Sequence, residues 1–545
     1  MNEKQKRLFD LLVEIDDICK ENNIDYCIGG GAALGAIRNN GFLPWDDDID
    51  LHITRSNWEK LYNLISENPE ILPKNRDLVC MENTKYYRNP IARYTDTTST
   101  VIHLAQSIAA KSCGEQVEFF ILDPIPNIED GQEEHIKHMR AFLEILSPTF
   151  MTSKHIPLNE YEEHKKLVFK YYNEIQKKGH STILDEIYEK YYSYPLEKAD
   201  NLYLRWGNNE IIFKTEDYTG KRYEEFEGKK FPVPKGLEDM CRVQYGDSWM
   251  YVPEKDDQIF HFPLINSLNH SFEEYTKIYL KQINQEETLK NYEKLKQLNI
   301  DLHIPRVKSS LEKIRMKGFI IIRELYKKIE INDYNPKKLL EEGEYDVLNK
   351  LFADYYSVQL DENCKTFNLF IEIDKNLLKI AIENKIKQGT YFISRNILDI
   401  CENNFELDED LKYLKDICDY CRTLSVAIFD NKDIETVENT LNKAEDYCEN
   451  LVETYRARLW LELNKLNEKD YNLIIDEGNK MLEDFPTDGE IMAYIAEALY
   501  NIGEMDKSSK MYYEAVHNTR NGLIWKDAKK YVGIDRLAED VQNAN

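Results

Sequence analysis

The run Gly29-Gly30-Gly31-Ala32-Ala33-Leu34-Gly35-Ala36-Ile37-Arg38, followed by Pro44-Trp45-Asp46-Asp47-Asp48-Ile49-Asp50-Leu51, sets the reading of this chain. A glycine-rich turn comes first, and four carboxylates follow within five residues. Glycines let backbone N–H groups approach a phosphate closely, helped by a helix dipole. Clustered aspartates hold hard divalent cations through oxygen. A phosphate cradle beside a metal-type cluster points to phosphoryl-transfer chemistry. No Gly-Lys-Ser/Thr follows the glycines, which excludes the Walker pattern.

Ahead of the glycines, Leu8, Leu11, Leu12, Ile15, Ile18 and Cys19 form a helical stripe over residues 3 to 22, ended by Asn22-Asn23. Residues 24 to 28 read as a short strand entering the glycines. Residues 32 to 39 read as a helix, broken by Gly41. Asp48 to Thr54 alternates with a period of two, so Asp48 and Asp50 share one strand face. Ser56 with Glu59 reads as a capping box for the next helix. Further strands are expected at Leu78 to Met81, Ile91 to Tyr94, Val101 to Leu104 and Val117 to Leu122, the last ended by Asp123-Pro124. Residues 133 to 194 are helical. Phe231-Pro232-Val233-Pro234-Lys235-Gly236 reads as a rigid loop, followed by a helix over Leu237 to Tyr245. This describes an α/β or α+β domain ending near residue 265.

Beyond it, residues 266–334 read as a charged helical linker. Residues 335–545 read as shorter helices with a 34-residue interval, pairing Leu461 with Ile495, Tyr471 with Met505 and Met481 with Ala515. The stretch from Glu490 to Gly503 resembles the first helix of a tetratricopeptide repeat, with small residues (Ala496, Ser508, Ala515) where helices cross closely. Such arrays stack into a continuous core with a concave face, suited to a protein partner or a glycan.

The chain has 545 residues and a net charge of -28, a balance that repels nucleic acid and anionic lipid. No secretory leader and no transmembrane run is legible, so the expected location is cytoplasmic, or peripheral at the inner membrane face. The 36 tyrosines suit packing or a carbohydrate-facing groove. Ten cysteines are scattered, and the one CxxC, Cys418 to Cys421, has helical surroundings that read as buried thiols.

Asp48 and Asp50 are the expected Mg²⁺ ligands, and a third carboxylate should come from a neighbouring strand. Glu118 is the candidate, an acid in the apolar run Val117 to Leu122. Gly29, Gly30 and Gly31 are the expected phosphate cradle. Arg38 either clamps a phosphate or pairs with Asp46 or Asp47. Arg93 is a phosphate clamp or a structural ion pair. Lys235 reaches substrate or is an exposed loop lysine. His52 lies on the Asp48/Asp50 face, as a support for the site or as packing.

These two blocks, with Phe231-Pro232-Val233-Pro234-Lys235-Gly236 and Tyr245-Gly246-Asp247-Trp249 in the same order, resemble the LicD family. That family includes bacterial phosphocholine transferases and is similar to the catalytic part of fukutin and fukutin-related protein. The resemblance covers residues 1 to 265. It implies an α+β nucleotidyltransferase-like catalytic domain with a carboxylate triad at Asp48, Asp50 and Glu118, ahead of the all-α, TPR-like region. Glu118 stands where the family has Asp, which loosens the geometry and admits Mn²⁺ as well as Mg²⁺. The glycine turn carries Gly31 in place of the family's Ser or Thr, leaving phosphate contact to backbone. The implied reaction moves phosphocholine from CDP-choline, or a similar CDP-alcohol, to a sugar hydroxyl, with CMP leaving. The implied acceptor is a cell-surface glycan such as a teichoic acid, or its lipid-linked precursor. Trp206 and Trp249 are candidates for enclosing a choline head. Two other readings use the same residues: transfer of a nucleoside monophosphate, and a non-catalytic helical-repeat scaffold.

Overall fold

The computed structural model describes residues 1–84, 90–102, 114–146, 158–206, 209–220, 222–246, 265–274, 335–353, 355–356, 374–431, 433–444, 448–465, 469–486 and 488–518, with single positions between 249 and 294. Most of the expected linker, 266–334, therefore lies outside the described residues. The chain divides into two compact units, one built on Met1–Asp247 and the other on residues from Asn335 onward with smaller segments exchanged.

The first unit opens with α1 (Glu3–Glu21), started by a capping box between Asn2 and Gln5 and closed at Asn22. Its apolar stripe is buried as the 3.6-residue period requires. β1 (Cys27–Ile28) leads into α2 (Gly30–Asn39), which begins two residues earlier than expected, with Gly29 as N-cap and Gly30 at φ +51°. β2 (Asp50–Thr54) and α3 (Arg55–Glu67) follow. The Ser56/Glu59 capping box does not form. Helix α3 starts one residue before Ser56, Thr54 is the N-cap, and Glu59 instead accepts from the Tyr188 hydroxyl.

β3 (Arg76–Val79), β4 (Ala92–Asp96), β5 (Thr100–Ile102) and β6 (Gln116–Ile125) fall on the four strands expected from sequence. Asp123-Pro124 does not end β6. The strand runs on to Ile125 by pairing antiparallel with β7 (Asn201–Trp206), Pro124 opposite Leu202. A proline is tolerated in a strand where its missing N–H is not called on. The helical stretch resolves into α4 (Gln132–Leu146), α5 (Leu158–Lys178) and α6 (His180–Tyr191), which share one core cluster with Ile125 and Tyr203.

The main sheet has the order β1-β2-β6-β4-β3, extended from the far end of β6 by β7 and β8 (Asn209–Lys214). β6 is its centre, parallel to β2 and antiparallel to β4. Ile49, Leu51, Ile53, Phe119 and Ile121 are buried. After α7 (Thr215–Tyr218), β9 (Arg222–Phe226) and β10 (Lys229–Val233) form a hairpin. The loop expected over Phe231 to Gly236 thus begins as strand: Phe231, Pro232 and Val233 pair with β9. Rings of Phe226 and Phe231 pack on Phe9, and Phe42 packs on Phe226. α8 (Leu237–Tyr245) has the expected bounds. β11 (Ile265–Ser267) pairs with β5.

The second unit is helical in all its described elements. Its helices Val452–Asn464, Tyr471–Asp484, Gly489–Asn501 and Met505–Asn518 pack in succession, and the two that start at Tyr471 and Met505 recur at the 34-residue interval. Ala496, Ser508 and Ala515 are buried, and Ser508 Oγ donates to the Ala496 carbonyl at 2.7 Å. Cys418 and Cys421 are buried free thiols.

Candidate active site

The strand registers build the site. Asp50 on β2 stands opposite Glu118 on β6, and Glu118 stands opposite Arg93 on β4. Residues in one register row project to the same face of a sheet, so these three side chains share it. Arg93 Nη2 lies 2.9 Å from Glu118 Oε1, which also accepts from Gln116 Nε2 at 2.6 Å. Asp48 lies just ahead of the strand rather than in it. The Glu118 N–H donates to the Ile49 carbonyl at 2.9 Å and so holds that approach in line.

A cleft of about 170 Å³ opens here, lined by Lys4, Leu8, Asp47, Asp48, Arg93, Val101, Glu115, Gln116 and Glu118. Of the residues expected from sequence, Asp48, Glu118 and Arg93 line it together. Asp50 is the buried neighbour of Glu118 in the row. The lining sets two cations, Lys4 and Arg93, against four carboxylates, Asp47, Asp48, Glu115 and Glu118. That excess of acid attracts cations and resists a bare anion.

The glycine turn closes directly on these acids. A β-carbon built on Gly30 would lie 2.4 Å from Asp50 Oδ2, and one on Gly31 would lie 2.3 Å from Asp46 Oδ2. One on Gly29 would lie 2.4 Å from the His52 ring, and the Gly29 N–H donates to the Asp50 carbonyl at 2.8 Å. Each glycine therefore admits one polar side chain against the backbone. A phosphate reaching this turn meets two carboxylates and needs a cation between them.

His52 is fully buried, its Nδ1 2.7 Å from the Tyr218 hydroxyl, and burial pulls its pKa down to about 3. It is neutral at ordinary pH and supports the turn. Arg38 is buried with its guanidinium 5.2 Å over the Trp45 ring, and its Nε donates to Asn39 Oδ1 at 3.1 Å. Burial pulls its pKa down to about 10, against Tyr245, Cys241 and Asp46 nearby. Arg38 does not line the cleft. Lys235 is exposed on the turn between β10 and α8, away from the lining residues. Of the two tryptophans, the Trp206 side chain lies outside the described residues and Trp249 is half-buried, not in the cleft.

Sequence reasoning missed Lys4, Glu115 and Tyr245. Lys4 Nζ donates to Asp47 Oδ2 at 2.8 Å. Burial opposes its charge, but Glu115, Asp47 and Asp48 outweigh that and hold its pKa above the ordinary value. Tyr245 ends α8. Burial first, then Asp50, Asp46 and Asp48, push its phenol well above the usual range, so it remains a proton donor beside the carboxylates. Its place in the Tyr245-Gly246 block was a usable signal. Lys4 carries none, since it sits in an ordinary amphipathic helix.

The donor set suits a hard divalent ion: oxygens only, from Asp48 and Asp50, with Glu118 in the adjacent register. Mg²⁺ usually takes one or two protein carboxylates and completes its shell with water and phosphate. Among the described residues, no three or more His, Cys, Asp or Glu converge as a metal cage. Glu118 is turned to Arg93 and Gln116 instead. Among the described residues, no helix is long and apolar enough to cross a membrane.

Residues 23–112 match the LicD/FKTN/FKRP nucleotidyltransferase domain. The match holds the glycine turn, the carboxylate run and Arg93, while Lys4, Glu118, Lys235 and Tyr245 lie outside it. The chain is 24% identical over 277 residues to the lipopolysaccharide cholinephosphotransferase LicD of Haemophilus influenzae, covering 48% of this chain and 96% of that protein. Over 50 residues it is 40% identical to uncharacterized proteins of Rickettsia prowazekii and Rickettsia typhi, covering 9% of this chain and 19% and 16% of theirs. No solved structure matches the chain.

Proposed function

We propose that this chain, which carries a LicD-family domain, moves phosphocholine or a similar phospho-alcohol from a CDP-linked donor to a sugar hydroxyl, releasing CMP. The observation that carries this reading is the row Asp50–Glu118–Arg93, set at a cleft with Asp48 and against the glycine turn. The acceptor is a cell-surface glycan such as a teichoic acid, or its lipid-linked precursor. The catalytic domain is the nucleotidyltransferase-like unit of residues 1–265. Residues 335–545 form a TPR-like region that docks a protein partner or the glycan. The enzyme works in the cytoplasm or at the inner membrane face, and nucleic acid is not its partner.

In the reaction the acceptor oxygen forms a bond to the phosphorus bearing the alcohol, and the bond from that phosphorus to the CMP oxygen breaks. The hydroxyl proton passes to a carboxylate of the Asp46 to Asp50 run. Arg93, held at the cleft by Glu118, steadies the transferred phosphate through its planar fork. Gly29, Gly30 and Gly31 bring backbone close to the diphosphate, while Arg38 and Lys235 act outside the cleft. Mg²⁺ or Mn²⁺ held by Asp48 and Asp50, with Glu118 beside them, would neutralise the diphosphate and the leaving CMP.

Incubation with CDP-choline, Mg²⁺ and a candidate glycan should release CMP and label the glycan with phosphocholine. Asp48→Asn and Asp50→Asn should each slow this on the order of a hundredfold. Full turnover in the double variant refutes the reading. Release of pyrophosphate from a nucleoside triphosphate, with nucleotide joined to the acceptor, would instead support nucleotidyl transfer, which the description of the matched domain favours as the second reading.

A further inference from the structure

Resting on the transferase reading, we propose that Lys4, in the first turn of α1, is a direct contact for the donor's phosphates, held ready in the cleft by Asp47 and Glu115. Lys4 lies upstream of the family-matched stretch at residues 23–112, and nothing in the sequence marks it. The structure nevertheless brings it into the same cleft as Asp48, Arg93 and Glu118.

Lys4 Nζ lies 2.8 Å from Asp47 Oδ2 and 4.0 Å from Glu115 Oε2. The first is a hydrogen bond; the second is an ion pair beyond hydrogen-bond length. An ammonium has three donors, so these two partners do not saturate it. Its side chain is only 15% exposed, which carries a desolvation cost that the neighbouring acids offset. A diphosphate entering the cleft is repelled by Asp47, Asp48, Glu115 and Glu118, and among the lining residues Lys4 and Arg93 are the cations that attract it. The two differ usefully. Arg93 is a planar fork fixed on Glu118, whereas Lys4 is a point charge on a flexible stem that can follow the phosphate. Asp47 and Glu115 thus act as placeholders for the anion, which keeps the lysine charged and inside the cleft between turnovers.

The test is calorimetric titration of the full chain with inorganic pyrophosphate and Mg²⁺, on the wild type, Lys4→Gln, Lys4→Arg and Asp47→Asn. Lys4→Gln should weaken binding roughly ten- to a hundredfold, as for loss of a charge-assisted hydrogen bond. Lys4→Arg should keep most of the affinity. Asp47→Asn removes the placeholder and keeps the lysine, so it should bind as tightly as the wild type or more tightly. A Lys4→Gln protein that binds like the wild type overturns the proposal. So does an Asp47→Asn protein as weak as Lys4→Gln, which would make Lys4 only a tether for the Asp47 loop. Should Lys4→Gln fail to fold, an Asp47→Asn protein that binds at least about tenfold more weakly than the wild type overturns the proposal, and one that binds as tightly or more tightly supports it. A wild type that binds pyrophosphate but neither binds nor turns over CDP-choline or another CDP-alcohol refutes the transferase reading and leaves Lys4 as a diphosphate contact. A wild type that binds no pyrophosphate overturns the Lys4 contact.

Discussion

Arg93 and Glu118 stand opposite each other on antiparallel strands, and the guanidinium meets the carboxylate at 2.9 Å on the face they share with Asp50. The pair is mostly enclosed, with side-chain exposures of 7% and 16%. Glu118 therefore does two things at once: it holds the Arg93 guanidinium at the cleft and stands as a carboxylate beside Asp50 in the register row.

Glu118→Gln should release Arg93 without changing side-chain volume. Loss of a partly enclosed ion pair should cost about 1–3 kcal/mol of stability. On the transferase reading, the donor KM should rise more than kcat falls. Denaturant unfolding and steady-state kinetics measure both, and an unchanged KM would remove Arg93 from the donor site.

Gly30→Ala should destabilise the turn and, on the transferase reading, abolish turnover. Gly30 sits at φ +51°, which costs an L-residue about 1–2 kcal/mol. The added carbon would also lie 2.4 Å from Asp50 Oδ2 and push that carboxylate aside. Thermal unfolding with an assay of CMP release checks both effects; a fully active variant would show that Asp50 need not sit against the turn.

His52 makes stability depend on pH. Its folded pKa, about 3, lies below the ordinary 6.5, so the unfolded chain takes up a proton that the folded chain refuses. The contribution is intact above pH 6.5 and is lost as pH falls from there toward 3. At pH 5 the loss should reach about 2 kcal/mol. Urea unfolding at pH 7 and pH 5 should show this in the wild type, and His52→Gln should remove that part of the difference.

Arg55 forms a two-armed bridge to Asp123, at 2.7 and 3.1 Å, and packs 5.3 Å from the centroids of both Tyr188 and Tyr192. Both members of the bridge are buried. Arg55→Met should strand the Asp123 charge and cost about 3–5 kcal/mol. The double variant Arg55→Met/Asp123→Leu should recover much of that, as read by denaturant midpoints.

Local chemistry by itself was enough for α1, the strands β3, β4 and β6, the helix α8, and the glycine turn beside its acids. Periodicity and turn residues act within a few positions, so those elements are legible along the chain. The 34-residue interval between the helices at Tyr471 and Met505 is legible for the same reason. Boundaries that depend on a partner were misread: Pro124 stays in strand because β7 pairs with it, and Phe231 to Val233 are strand because β9 lies alongside.

Sequence also singled out Asp48, Asp50, Glu118 and Arg93 as types of residue suited to phosphate and metal. That Asp50, Glu118 and Arg93 fall in one row follows from folding alone, because sheet register joins segments that no local pattern links. Folding also brought Lys4 and Tyr245 to the acids, seated Arg38 on Trp45, and left Lys235 in solvent. Charge and hydrogen-bond partners are set by distance through space, and a linear chain does not carry that distance until it has folded.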